Sequence, residues 1–233
     1  MTERHFDTLA DATRSGAEGG GRLDTVFAAA ADRDCRVLLR SLVRNPDDEV
    51  AVATLADCIE SAGRDSDRDA DQIAARLHHT VLPKLDDTGF LDYDSDCETV
   101  RYRSDATLET VLATVESDLD DAGDGADPPF SVTGLFDALA DQRRRHALVT
   151  MLAHGDLPLP DLADEVAVAE RDVPLSDIDP ETVLEVYLSL YHTHVPKLAD
   201  VGLATYDQER DFVALTDAGS SLEPTLRSLA DLD

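Results

Sequence analysis

The chain has 233 residues, with 20 Lys or Arg against 50 Asp or Glu, for a formal net charge of −30. Its 42% hydrophobic content is enough for a packed core, so the acidity does not imply a chain disordered throughout. No run of about 18 apolar residues occurs, which argues against a membrane-spanning helix.

Arginine supplies nearly all of the positive charge, because Lys84 and Lys197 are the only lysines. Scarce lysine with abundant aspartate is the pattern expected of proteins in molar salt. There a hydrated carboxylate surface keeps the protein soluble, and a Debye length of about 3 Å screens its self-repulsion. The expectation is a cytoplasmic protein of a halophile.

In chain order, MTERHFDTLADATRSGAEGGG at 1–21 has no continuous apolar segment and predicts a disordered N-terminal segment with no export signal and no membrane partner. A first domain follows over 22–120, opening with an apolar-periodic helix that breaks near Asp32. Asp32 is a natural N-cap for the arginine-bearing helix that runs to about residue 43. A short extended piece, VAV at 50–52, leads to a helix containing LAD at 55–57 and then to the polar loop SAGRDSDRDA. A long helix over 69–88 ends at Gly89, which suits the left-handed conformation that closes a helix. FLDYDSDCETVRYR reads as a β-hairpin, because β-formers flank a polar turn. A last helix spans about 105–120. The acidic, Gly- and Pro-containing stretch DLDDAGDGADPPF then predicts a linker over 121–130, ahead of a second domain over 131–233.

That second domain repeats the first. LHHTVLPKLDDTGFLDYD (77–94) and LYHTHVPKLADVGLATYD (190–207) share ten of eighteen residues at a constant offset of 113, the two lysines among them. VFAAAADRDCRVLLRSL (26–42) matches LFDALADQRRRHALVTML (135–152) at offset 109, which pairs Phe27 with Phe136, Asp32 with Asp141 and Arg36 with Arg145. One unit is therefore present twice. The fold class is mainly α with small β-hairpins, α+β.

The order helix, helix, short strand, helix, helix, hairpin, helix is that of a winged helix-turn-helix domain. DALADQRRRHALVTML resembles the helix opening of ArsR-type repressors, and HHTVLPKLDDTGFLDYD resembles their recognition helix running into the wing. Tandem acidic units of this kind resemble haloarchaeal winged-helix proteins. The resemblance implies a DNA-binding transcription regulator with double-stranded DNA as partner.

On the long helix, Ile73, Leu77, Val81 and Leu85 recur every four residues and face the core. Gln72, Arg76, His79 and Pro83 form the neighbouring stripe that a winged helix offers to the major groove; their counterparts are Glu185, Ser189, His192 and Pro196. Pro83 and Pro196 lie inside their helices and predict a kink. Lys84 and Lys197 suit either a phosphate or a carboxylate of their own domain, such as Asp87 for Lys84. With Arg101 and Arg103 of the first wing, the candidate DNA contacts are Gln72, Arg76, His79, Lys84, Arg101, Arg103, Ser189, His192 and Lys197.

Other features predict no chemistry. Cys35, Cys58 and Cys97 lack metal-type spacing and read as free thiols, a thiol sensor in the first unit being the sharper alternative. His78, His79, His192 and His194 lack acidic or cysteine partners at ligand spacing, so neither a metal nor a cofactor is expected. A helix spreads Arg143, Arg144, Arg145 and His146 around its circumference, which favours local ion pairs over a basic face. No nucleophile–base pair or phosphate-cradling loop suggests an enzyme. The alternative to a regulator is an interaction module without DNA binding, whose terminal helices (105–120 and 217–231) dimerise or dock another protein.

Overall fold

The computed structural model describes residues 19–46, 48–62, 68–121 and 130–230. The N-terminal segment over 1–18 and linker residues 122–129 lie outside them. Residues 19–21, read above as part of that segment, form the first turn of helix α1 (Gly19–Ala31).

Helix α2 (Arg33–Arg44) starts where expected, with the Asp32 carboxylate accepting from the backbone N–H groups of Asp34 and Cys35. Strand β1 (Glu49–Ala51) and helix α3 (Val52–Ala62) follow. The long helix is a rod in three parts: α4 (Ala70–Arg76), a π turn (Leu77–Val81) and α5 (Leu82–Asp87). Strands β2 (Leu91–Asp94) and β3 (Thr99–Tyr102) make the hairpin, and α6 (Ala106–Asp121) completes the half.

The second half repeats this order with α7 (Val132–Leu139), α8 (Gln142–His154), β4 (Leu157–Pro158) and α9 (Leu159–Arg171). Its rod is α10 (Pro180–Ser189), a π turn (Leu190–His194) and α11 (Val195–Asp200). Hairpin β5 (Ala204–Asp207) and β6 (Phe212–Leu215) and helices α12 (Asp217–Ser220) and α13 (Glu223–Ala230) complete the described residues.

Each short extended piece joins its hairpin as a third, antiparallel strand, giving the orders β1-β3-β2 and β4-β6-β5. Val50 pairs with Val100, and Leu157 with Val213. The architecture is therefore mainly helical with two small antiparallel sheets, and among the described residues no helix is long and apolar enough to cross a membrane.

The prolines do not break the rods. Each removes the N–H that would have bonded four residues back, and the turn before it widens: Leu82 N–H donates to Leu77 O, and Val195 N–H to Leu190 O. A π turn inserts one residue, so Val81 and Leu82 both reach the core where a regular helix would bury one of them. The first rod closes at Gly89 as predicted, with φ 77°, and the second closes at the equivalent Gly202, with φ 83°. Phe90 N–H returns to Leu85 O at 3.0 Å and Leu203 N–H to Leu198 O at 2.9 Å, the bond of a Schellman motif. The last helix, expected to be continuous over 217–231, is split in two. Gly219 sits so close to the Leu203 carbonyl that an added Cβ would lie 2.0 Å from its oxygen.

One core runs through both halves. Helices α1 and α7, equivalent in the repeat, pack against each other, with the Phe27 and Phe136 rings 5.9 Å apart. Arginines cross this seam reciprocally. Arg36 donates to Thr133 Oγ1 at 3.3 Å and lies over the Phe136 ring; Arg145 donates to Asp24 Oδ1 at 2.6 Å and lies over the Phe27 ring. Asp24 and Thr133 are themselves equivalent positions, so the halves are related by a quasi-twofold exchange. The terminal helices, read above as faces for a second chain, pack on each other here, α6 against α13.

Phe136 is fully buried at this seam, so Phe136→Ala is expected to cost about 3–5 kcal/mol and to lower the melting of both halves in one transition. Thermal unfolding in molar KCl checks this. Two separated transitions would show that the halves fold independently.

Candidate functional site

The two rods present the faces on which the sequence-derived candidates lie. In the first half, Gln72 and His79 are exposed on the rod as expected. Arg76 is not available: its Nε donates to Asp34 Oδ2 at 2.8 Å and its Nη2 to Asp32. Arg68 grips the same Asp34 with two bonds of 2.6 and 2.9 Å. Asp34 is 4% exposed, and its hydrogen bond to Arg68, with that to Arg76, holds its carboxyl below the usual carboxylate range against the opposing effect of burial. The cluster fastens the start of α2 to the start of the rod.

The lysines serve the same end. Lys84 Nζ donates to Ala28 O at 3.1 Å, and Lys197 pairs with Asp137. Ala28 and Asp137 are equivalent positions on α1 and α7, so each lysine ties its rod to the first helix of its own half. Lys197 thus takes a carboxylate of its own domain, one of the two partners expected for it, while Lys84 takes a backbone carbonyl rather than Asp87.

The hairpin arginines differ in kind. Arg101 donates to Glu49 Oε2 at 2.9 Å across the β1-β3 register, and Arg103 pairs with Asp92. Both arginine side chains are more than half exposed. Their counterparts in the second half are Ala214 and Thr216.

The second rod has a different surface. Ser189 replaces Arg76 and is half-buried, while His192 is exposed with its ring edge on Tyr191, centroids 4.7 Å apart. Tyr187 and Tyr206 both donate to the carboxylate of Asp211, at 3.1 and 2.6 Å, and clasp the rod to the hairpin. In the first half the corresponding link is a 2.7 Å hydrogen bond between His78 and Tyr93. Leu184 and Leu188 stand 53% and 43% exposed on α10, where the first rod has Asp71 and Ala75. The apolar period of this helix hid them, because it reads as core until the side chains are seen to point outward.

The run at 143–146 disperses as expected. Arg143 grips Glu170 with bonds of 2.5 and 2.6 Å, Arg144 donates to the carbonyls of Ala138 and Asp137, and Arg145 faces the seam. His146 is 1% exposed with neither ring nitrogen hydrogen-bonded. Burial pushes its pKa down to about 4, among the opposing charges of Glu170, Arg145, Arg143 and Asp141. His194 is also buried, with Nδ1 3.6 Å from Asp141 Oδ1, and burial lowers its pKa too. Burial raises the Cys35 thiol to about 12 and the neighbouring Asp94 raises that of Cys97, so neither is poised as a thiolate. Among the described residues no three His, Cys, Asp or Glu converge as a metal site.

Compared with known proteins, the chain matches one family model, described as Domain of unknown function (DUF7344), over residues 27–101 and again over 136–214. No curated protein and no solved structure matches it.

Asp34→Asn removes a carboxylate whose folded-state pKa is depressed, so its contribution is present above the unfolded pKa and is lost as pH falls through the folded one. The variant should be less stable near neutrality by about 1–3 kcal/mol, with the difference from wild type shrinking in acid. His146→Val installs the residue found at the equivalent position, Val37. A buried neutral histidine costs stability as pH falls from 6.5 towards about 4, by up to about 3 kcal/mol. Denaturant titrations across that window should therefore show the variant gaining on wild type as the medium acidifies; a constant difference would refute the assignment.

Proposed function

The chain belongs to that family over both halves, and from that premise we propose that it is a DNA-binding transcription regulator built of two winged helix-turn-helix units, working in the cytoplasm of a halophile. In each half, the Asp-capped helix (α2 or α8) and the strand lead to a helix, a rod widened by its π turn and a hairpin, the order in which a helix-turn-helix is followed by a wing. In this reading the rod enters the major groove and the hairpin lies along the phosphates.

The observation that carries the proposal is the first half's combination of an exposed polar stripe with an exposed arginine hairpin. Gln72 and His79 offer side-chain hydrogen bonds to base edges. Arg101 and Arg103 are each held by one carboxylate in open solvent, and ion pairs of such exposure contribute little. A phosphate oxygen can take the place of either carboxylate. Arg76, Lys84 and Lys197 hold the fold and leave the reading set. Ser189 and His192 leave it too, because their hairpin carries Ala214 and Thr216 and their rod carries Glu185 and two exposed leucines. Those leucines favour a second reading for the second half alone, that of a protein contact.

The test is selection from a random duplex library by the full chain in molar KCl. One enriched sequence is expected, and Arg101→Ala with Arg103→Ala should cut its retention about tenfold or more, since each lost phosphate contact lowers affinity for every duplex alike. Recovery of an unenriched library would sink the proposal.

A further inference from the structure

Among the described residues, the large hydrophobic side chains that stand exposed are Val173, Leu175, Leu184 and Leu188, all within one stretch of the second half. Single exposed leucines are ordinary, but clustered ones with a polar rim mark a contact. The duplication does not call for them, since the first rod has Asp71 and Ala75 where the second has Leu184 and Leu188. The face therefore occurs once per chain.

Along α10 and its π turn, Glu181, Leu184, Glu185, Leu188 and His192 are exposed at the spacing i, i+3, i+4, i+7 and i+11, while Val186 and Leu190 point into the core. The face thus runs from a carboxylate, over two leucines, to an imidazole. Among the described residues neither the Glu181 carboxylate nor the His192 ring has a hydrogen-bond or ion-pair partner. The His192 ring is set edge-on against Tyr191, and Tyr191 stacks on Tyr187 with centroids 6.2 Å apart, so its position is held before any contact forms. Glu185, on the flank, acts within its own half: the Arg143 guanidinium is raised above its ordinary range by its hydrogen bond to Glu170 and, with Asp141, by the charge of Glu185.

We propose that two copies of the chain form a symmetric dimer through this face, their α10 helices antiparallel, with Leu184 of each against Leu188 of the other and Glu181 of each beside His192 of the other. The register follows from the spacing. Setting Leu184 opposite Leu188 brings position 181 opposite position 191, three residues beyond the leucines on either side, and so next to His192. An imidazole N–H can donate to the carboxylate there. A parallel pair would instead set Glu181 on Glu181 and His192 on His192. The face therefore supplies its own complement, which selects a second copy as its occupant. The twofold axis makes every contact twice, giving an apolar centre with a polar pair at each end. Exposed Asp172, Asp177 and Asp179 lie around the start of α10, and a Debye length of about 3 Å at molar ionic strength confines their repulsion. With one such face per chain, assembly closes at two. The dimer rests on reading the second half as a protein contact, and it uses none of Gln72, His79, Arg101 and Arg103.

Sedimentation velocity of the full chain in molar KCl over a wide concentration range tests this. A monomer–dimer equilibrium is expected. Leu184→Asp with Leu188→Ala installs the first half's residues on an exposed face and should weaken the dimer about a hundredfold or more, since leucine burial is lost from both chains. His192→Glu sets carboxylate against carboxylate at both ends and should weaken it several-fold. Adding Glu181→Arg to the same chain should restore it, which also shows that the variant is folded; in a parallel pair the two changes would only add repulsion. Assembly beyond the dimer, association indifferent to His192→Glu, or a defect that Glu181→Arg leaves uncorrected would each overturn the proposal. A wild type monomeric at every concentration would overturn it and leave the face to a different protein, whereas a dimer that survives the leucine exchange would overturn the protein-contact reading of this face as well.

Discussion

The reciprocal arginine exchange between the halves is the constraint on which the rest of the molecule rests. Arg36 and Arg145 are 6% and 2% exposed, and a buried guanidinium persists only if its donors find acceptors. Each finds one kind at home, on the carbonyls ending the preceding helix: Ala30 for Arg36 and Leu139 for Arg145. The other acceptor, and the aromatic ring beneath, come from the opposite half. Separating the halves would leave two charges short of acceptors and expose Phe27 and Phe136 to water. The seam therefore fixes the relation of the two rods, which are tied back to it by Lys84 on α1 and Lys197 on α7.

What the amino-acid order revealed was largely local. Asp32 and Asp141 cap their helices, Gly89 and Gly202 close the rods, and the four-residue recurrence of Ile73, Leu77, Val81 and Leu85 buries the predicted face. These features depend on neighbours within a turn or two of chain. The duplication was also legible, since identical residues at a fixed offset need no structure to be counted. Long-range relations were not. Nothing near Arg76 announces that its partners are Asp32 and Asp34, more than forty residues away, and the short extended piece at 50–52 gave no sign of which hairpin strand it would pair with. The π turns were half legible: proline promised a disturbance, but whether the helix would bend or widen depended on packing around Val81 and Leu82.

The halves keep one skeleton and differ in what they show to solvent. The first fastens its rod with a buried carboxylate between two arginines and keeps exposed arginines on its hairpin. In the second, Arg143 occupies the position of Asp34, the anchoring anion moves to Glu170 on α9, and a tyrosine–aspartate clasp takes over at the hairpin. His146 and His194 fill positions held by Val37 and Val81 in the first half, which gives the second half an acid-sensitive interior without a counterpart. The exposed arginine pair of the hairpin strand is thus found in one half and the exposed leucines of the rod in the other.

The covalent joining of the two units has a consequence beyond rigidity. In an assembly of two identical chains, any substitution is felt at both symmetry-related places, so a leucine that suits one surface must be tolerated on its twin. Here a single polypeptide carries both copies, and position 184 can become leucine while position 71 stays aspartate. Fusion has lifted the requirement of sameness while preserving the mutual embrace, and each head is free to specialise.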